Sequence, residues 1–181
     1  EVILKKYDDL GDSTMRAWFT TNHDENSWNG TEYEKYGDMA KALAVFSATW
    51  NGVPLLYSGQ ELPNQKRIEF FDKDTISWTG NNLLHDFYKT LLHLKTNNPA
   101  LRGGDTTVKT FHIKTTDPQK IVAYIRKSGD REVLVLLNLS SQNNLHFDVI
   151  DERLTGTFKN VFSGAANDFT VEKGFEMQPW E

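Results

Sequence analysis

The chain has 181 residues, which is enough for one large domain or one and a half small ones. Its composition, 38% hydrophobic and 25% charged, is ordinary for a globular protein. The net charge of −5 and the lack of any Lys/Arg run argue against nucleic acid and anionic membranes as partners. The sequence contains no cysteine, which excludes disulfides, thiol chemistry and Cys-ligated zinc. No apolar stretch approaches the roughly 20 residues of a membrane span, so no membrane partner is expected.

The N-terminal part begins with elements that end in polar residues. Residues 1–10 predict the end of a helix. Residues 15–22 predict a short, buried strand because they are rich in aromatic and β-branched side chains. Asn22, His23 and Asp24 then place an amide, an imidazole and a carboxylate in succession. Residues 25–33 are polar and predict a loop.

Two helices and a second strand follow. Apolar residues at helical spacing predict a helix from Glu34 to Trp50. The wholly apolar run Val53–Tyr57 predicts a strand buried on both faces. After a long connection over 62–81, a second helix is predicted over Leu83–Asn97, with Asn81 or Asn82 as its cap. The order strand, helix, strand, helix indicates a β-α-β-α unit with a parallel sheet.

After Pro99 the pattern changes to short β-type runs separated by turn signals. This pattern predicts an antiparallel β-sandwich, with a domain boundary near 98–104. We therefore divide the chain into an α/β part, residues 1–99, and an all-β part, residues 100–181. The runs are residues 106–115, 120–127, 132–139, 145–150, 155–162, 169–172 and 175–179.

Four segments, in this order, resemble the α-amylase family of glycoside hydrolases. Phe19–Asp24 resembles the fourth signature region of that family, and Gly52–Glu61 resembles its strand-8 segment. Phe71–Trp78 is similar to the segment that follows, and Asn98–Arg102 to the end of the last barrel helix. Asn-His-Asp alone is a weak signal. Followed at this distance by Gly-x-Pro-Leu-x-Tyr-x-Gly-x-Glu, it is a specific one.

The family fold is a (β/α)₈ TIM barrel followed by a β-sandwich. The resemblance implies that residues 12–97 are strands and helices seven and eight of the barrel, and that residues 100–181 are most of the sandwich. Aromatic residues Phe70, Phe71 and Trp78 of the long connection are expected to pack at the top of the barrel.

The resemblance also implies roles for individual side chains. Asp24 would be the catalytic carboxylate that stabilises the oxocarbenium-like transition state, and His23 would hydrogen-bond the same sugar ring, with Asn22 beside it. Trp28 is either a platform for the apolar face of a sugar or an ordinary loop aromatic. Without the resemblance, Asp24 is interpreted as a turn or N-cap residue and His23 as a partly buried histidine.

The two carboxylates that retaining glycosidases need are not both recognisable here. The family's nucleophile lies in Gly-x-Arg-x-Asp, and no Arg-x-Asp occurs in this sequence. We therefore expect an inactive fragment of an α-glucan hydrolase. The alternatives are a non-catalytic, amylase-like binding or assembly protein and a related glucosyltransferase. His23 and Asp24 argue against the first alternative, and nothing in the sequence separates the second from hydrolysis.

Several expectations accompany this interpretation. No metal site is expected within the chain, although Ca²⁺ is possible in the whole protein through ligands elsewhere. The expected partner is an α-glucan. Two βα units expose a sheet edge, so the chain is expected to form a homodimer or to distort its first domain. A bacterial, extracytoplasmic location is favoured because many amylases of this kind digest external glucans.

Overall fold

The computed structural model describes residues 15–80 and 82–181. The helix predicted over 1–10 lies outside the described residues. The first two strands, β1 (Ala17–Trp18) and β2 (Val53–Pro54), pair in parallel. Main-chain hydrogen bonds from Val53 N to Arg16 O and from Leu55 N to Trp18 O, each 2.8 Å, extend this pair. The predicted parallel sheet is thus present, with shorter strands than expected.

The connection from β1 to β2 is helical and interrupted. It consists of a π-helix (Glu25–Asn29), α1 (Glu32–Tyr36), a 3₁₀ turn (Gly37–Met39) and α2 (Ala40–Thr49). The prediction of a loop over 25–33 is therefore wrong. The helix predicted over 34–50 is confirmed over α2, but the 3₁₀ turn interrupts its first part.

Two local features explain the interruption. Thr31 and Glu34 form a reciprocal capping box, in which Glu34 N donates to Thr31 Oγ1 and Thr31 N donates to Glu34 Oε2, and this starts α1. Gly37 then takes a φ of +53°, a conformation that side chains disfavour, and ends it.

The prediction that β2 and its continuation are buried on both faces is also wrong. Val53, Leu55 and Leu56 are 46%, 40% and 38% exposed. Burial on both faces requires neighbouring strands and covering layers on both sides. Within the described part of the chain, β1 is the only strand beside β2.

The second long helix is confirmed as α3 (His85–Asn97). Side-chain capping by Asn82 is not observed, because Leu84 occupies the N-cap position and makes no side-chain capping bond. Asn82 contributes its carbonyl instead, which accepts from His85 N at 3.0 Å, and Asn81 lies outside the described residues. A 3₁₀ turn (Pro99–Leu101) leads into the β-rich part.

Seven strands form three antiparallel sheets in the remainder. One has three strands: β3 (Lys109–His112), β4 (Ile121–Ser128) and β5 (Arg131–Asn138). The others are the pair β6 (Leu145–Asp148) with β9 (Gly174–Met177), and the pair β7 (Thr157–Lys159) with β8 (Ala166–Asp168).

The strand predicted over 169–172 is wrong. Asp168 closes a turn there, since Thr170 N donates to its carboxylate and Glu172 N to its carbonyl, both at 2.9 Å. Phe169 lies in that turn and not in a strand, and its side chain is buried. An apolar residue can reach a core without lying in a strand, which is why the periodic pattern was misleading.

Two cores lie on opposite faces of the three-stranded sheet. On one face, alternate residues of β4 such as Ile121 and Ile125 pack against Phe147 of β6 and Phe169. On the other face, a second set of buried residues joins the sheet to the helical part. The set comprises Ala42, Trp50, Ala100, Leu101, Tyr124, Val133, Val135 and Leu137. The fold is therefore mixed α/β with antiparallel sheets, and the predicted division at residue 99, which stays a prediction, is crossed by this second core.

Candidate functional site

His23 and Asp24 lie just beyond the carboxyl end of β1, at the start of a helical turn. Their side chains are 71% and 57% exposed, and His23 Nε2 lies 3.4 Å from Asp24 Oδ1. Asp24 makes no side-chain capping bond to the π-helix that follows. Asp24 therefore occupies the N-cap position that the alternative interpretation gives it, but without a side-chain cap, and its carboxylate faces solvent beside the imidazole.

Asn22 makes the local bond that Asp24 does not. Its Oδ1 accepts from Glu25 N at 2.8 Å, and its carbonyl accepts from Asn26 N at 2.9 Å. These bonds hold the turn that presents His23 and Asp24. Asn22 is thus a residue that positions the turn, and its predicted contact with a substrate stays a prediction.

Trp28 belongs to an exposed group of aromatic rings. Its ring centroid lies 5.1 Å from that of Phe70 and 5.8 Å from that of Phe71. Trp28, Phe70 and Phe71, which we call the aromatic ridge, are 56%, 42% and 82% exposed. Phe70, Phe71 and Trp78 were expected to pack at the top of the barrel. Phe70 and Phe71 do pack on Trp28 and on each other, but all three rings stay exposed, Trp78 by 61%. Within the described residues, no second layer of side chains covers these rings.

The ridge is continuous with the His23–Asp24 pair. The rings of His23 and Phe70 are near-parallel, with an interplanar angle of 18° and centroids 6.5 Å apart. An imidazole, a carboxylate and three apolar ring systems therefore share one surface. Such a surface offers polar groups to hydroxyls and flat apolar faces to C–H groups.

A buried polar network lies at the strand ends behind this surface. Glu32, only 3% exposed, accepts from Thr20 Oγ1 at 2.5 Å and from Gln60 Nε2 at 2.9 Å. Gln60 also donates to Thr20 Oγ1 at 2.9 Å and lies 3.3 Å from Tyr88 OH. The network links the chain after β1, the chain after β2, α1 and α3. It fixes how the two strand ends are placed relative to each other.

Burial dominates the electrostatics of this network. Desolvation raises the pKa of the Glu32 carboxyl, and the hydrogen bonds from Thr20 and Gln60 counteract part of that rise. Desolvation likewise raises the pKa of the Tyr88 hydroxyl. We did not predict this network from the sequence. The available signal was Thr20, because a polar residue inside a buried strand needs a partner.

The described residues hold no group of three or more His, Cys, Asp or Glu side chains close enough to bind a metal ion. Of the helices that the structure describes, none is both long and apolar enough to cross a lipid bilayer.

Comparison with known proteins now identifies relatives, although no family model matches the chain. Alpha-amylase 2 of Dictyoglomus thermophilum is 24% identical over 85% of this chain and 27% of its own length. Cyclomaltodextrin glucanotransferase of Geobacillus stearothermophilus is 28% identical over 97% of this chain and 24% of its own length. The chain is related to the α-amylase family. It spans about a quarter of the length of these relatives.

A solved structure shows the same fold. The maltogenic α-amylase AmyB from Thermotoga neapolitana matches with a TM-score of 0.79 and 20% identity. The match covers 98% of this chain and 42% of that one. The resemblance to α-amylase-family enzymes thus extends over both the helical and the β-rich parts.

Proposed function

We propose that this chain is the C-terminal part of a retaining enzyme that cleaves α-1,4-glucosidic bonds in starch or maltooligosaccharides. In this proposal, residues 15–97 are the last two βα units of a TIM barrel, and the β-rich part is the sandwich that follows. The observation that carries the proposal is the exposed His23–Asp24 pair at the carboxyl end of β1. It occurs in a chain whose relatives include an alpha-amylase and a cyclomaltodextrin glucanotransferase.

The chemistry assigned to Asp24 follows from charge. A glucosyl unit is neutral in the ground state, and its transition state is oxocarbenium-like and therefore positive. A fixed carboxylate stabilises the transition state more than the ground state, and only such a difference raises kcat. His23 is assigned a hydrogen bond to a hydroxyl of the same sugar ring.

The nucleophile and the general acid are assigned to sequence outside this chain. Retaining glycosidases hold these two carboxyl groups about 5 Å apart. This sequence contains no Arg-x-Asp, the pattern that holds the nucleophile in the family it resembles. We therefore propose that the 181-residue chain binds glucan weakly and does not hydrolyse it.

The test uses the full-length protein with starch and maltohexaose as substrates. The Asp24→Asn variant should lose about 10²–10³-fold in kcat with little change in KM, because a transition-state interaction is removed. Asp38→Asn is the matched control, since Asp38 is an exposed carboxylate on the 3₁₀ turn away from the site. Full turnover by a folded Asp24→Asn variant would refute the assignment.

Glucosyl transfer is a second candidate, favoured by the relatedness to cyclomaltodextrin glucanotransferase over 97% of the chain. Product analysis separates the two reactions. Hydrolysis releases one new reducing end per bond cleaved, whereas transfer yields cyclic or elongated glucans without that gain. A full-length protein that binds maltohexaose but forms no product at all would instead support the non-catalytic alternative.

A further inference from the structure

We infer that the aromatic ridge of Trp28, Phe70 and Phe71 is a binding subsite for a second stretch of an α-1,4-linked glucan chain. This inference rests on the proposed function, because it extends the site at His23 and Asp24. The sequence offers Trp28 as a candidate platform for a sugar, whereas Phe70 and Phe71 are expected there only to pack at the top of the barrel.

Hydrogen bonds hold the loop that carries Phe70 and Phe71 in place. Asn26, 3% exposed, accepts from Ile68 N at 2.7 Å through Oδ1 and lies 3.4 Å from Lys66 O through Nδ2. Ser27 Oγ donates to Ile68 O at 2.6 Å. These bonds fix the loop that carries Phe70 and Phe71 to the π-helix that carries Trp28. The exposed rings therefore have a defined position beside the site.

Asp74 closes the tip of the same loop. Its carboxylate accepts from Glu69 N at 3.0 Å and from Thr75 N at 2.7 Å, and it pairs with Lys66. The hydrogen bond from Lys66 is the main reason why the pKa of Asp74 lies at about 2, well below its ordinary value. Phe70 and Phe71 lie between these anchored positions, so their exposure is a property of the folded loop.

The chemistry of the ridge fits a neutral sugar chain. Pyranose rings have apolar C–H faces that pack on aromatic rings, and their hydroxyls at the rim remain in water. The ridge adjoins His23, whose ring is near-parallel to that of Phe70, so one chain can contact both. The net charge of −5 makes an anionic membrane a poor alternative occupant.

The angles between the rings favour a curved ligand. Trp28 is tilted by 47° to Phe70 and by 73° to Phe71, and the two phenylalanine rings meet at 79°. Successive sugar rings of an α-1,4-glucan turn relative to one another, whereas a β-1,4-glucan is a flat ribbon. We therefore expect the ridge to bind maltohexaose in preference to cellohexaose.

The experiment measures binding of maltose, maltohexaose and cellohexaose to the full-length protein by calorimetry, with light scattering on each variant. Phe71→Ala and Trp28→Ala should each weaken maltohexaose binding about 3- to 10-fold, the range expected for one aromatic contact. Maltose, which is too short to span both parts of the site, should bind unchanged. Trp78→Ala is the matched control, because Trp78 is 61% exposed but has no ring contact with the ridge among the described residues.

The outcomes separate the subsite from the proposed function. Maltohexaose binding that depends on Phe71 in a protein without turnover supports the subsite and refutes the enzymatic proposal. Turnover that depends on Asp24, with maltohexaose binding unaffected by Phe71→Ala and Trp28→Ala, overturns the subsite and leaves the function in place. A shift from dimer to monomer in both ridge variants, with glucan binding unchanged, also overturns it and assigns the ridge to a second copy of the chain.

Discussion

The parallel pair β1–β2 and the antiparallel pair β4–β5 differ in length and in how fully their side chains are buried. Each strand of the first pair has two residues, and each strand of the second has eight. β4–β5 packs apolar residues on both of its faces, while Val53 of β2 is 46% exposed. The β-rich part therefore contains a complete core of its own, and the helical part does not.

The helical part depends on two other sources of stability. Trp50, at the end of α2, packs on Tyr124 of β4 with ring centroids 4.8 Å apart, so it shares the core of the β-rich part. The buried Glu32 network supplies the second source by polar contacts between strand ends. Residues 15–97 are therefore stabilised partly by the β-rich part, through Trp50, and partly by polar contacts among themselves.

The largest effect is expected for Trp50→Ala. Trp50 is 1% exposed and packs on Phe46 and Tyr124, so truncation leaves a large cavity between the two parts. We expect a loss of about 3–5 kcal/mol in the free energy of unfolding, measured by urea denaturation. The exposed Trp78→Ala is the control and should change it by less than about 0.5 kcal/mol. Equal effects of the two substitutions would contradict the shared core.

Asp151→Asn probes the β-rich part alone. The Asp151 carboxylate is nearly buried, accepts from Arg153 Nε at 2.8 Å and from Lys114 N at 3.2 Å, and has its pKa lowered mainly by Arg153. We expect a loss of about 2 kcal/mol near pH 7, since the buried side chain at 151 loses charge-assisted hydrogen bonds from Arg153 and from Lys114 N.

The pH dependence of Asp151 has a defined sign. A lowered folded-state pKa means that the unfolded state binds more protons as the pH falls, so the stabilisation is present above about pH 4 and disappears below it. The difference between wild type and Asp151→Asn should therefore shrink as the pH is lowered from 5 towards 2. A constant difference in urea denaturation across this range would contradict the ionised pair.

Periodicity predicted the elements of this chain wherever an element spans several turns or alternations. The second helix and the strands around Ile121 and Val135 are examples. Boundaries set by single residues were missed, as at Gly37, where one backbone conformation breaks a helix. The Thr31-x-x-Glu34 capping motif was visible in the sequence and would have placed the helix start correctly.

The residues of the candidate site also differ in whether a local sequence pattern predicts them. The positions of His23 and Asp24 after a strand follow from a local pattern, and the structure places them there. The Gln60 contact with Thr20 joins residues that are 40 positions apart, which no local pattern encodes. The exposure of Phe71 also depends on what covers it in space, and periodicity carries no information about that.

Glu32→Gln should change the pH dependence of stability more than stability itself. Burial raises the folded-state pKa of Glu32 above its ordinary value of 4.5, so the folded state binds more protons in the window between the two pKa values. The free energy of unfolding of the wild type should therefore fall as the pH rises through that window, by at most about 1.4 kcal/mol per pH unit. The variant lacks this slope, because glutamine does not titrate. Parallel profiles for both proteins in urea denaturation would show that Glu32 is not desolvated.

The smallest effect is expected on self-association of the 181-residue chain. Val53 and Leu55 are exposed on a sheet that has an open edge within the described residues, and such surfaces favour association. Val53→Glu should weaken homodimer formation about tenfold or less, because it adds a charge to that surface. Val171→Glu makes the same change at a valine that is 83% exposed in the β-rich part, away from β2, and should leave association unchanged. Sedimentation velocity over a range of concentrations measures both. If the wild type stays monomeric at every concentration, the exposed strand pair does not mediate a dimer, and the incomplete burial of the helical part is tolerated without a partner.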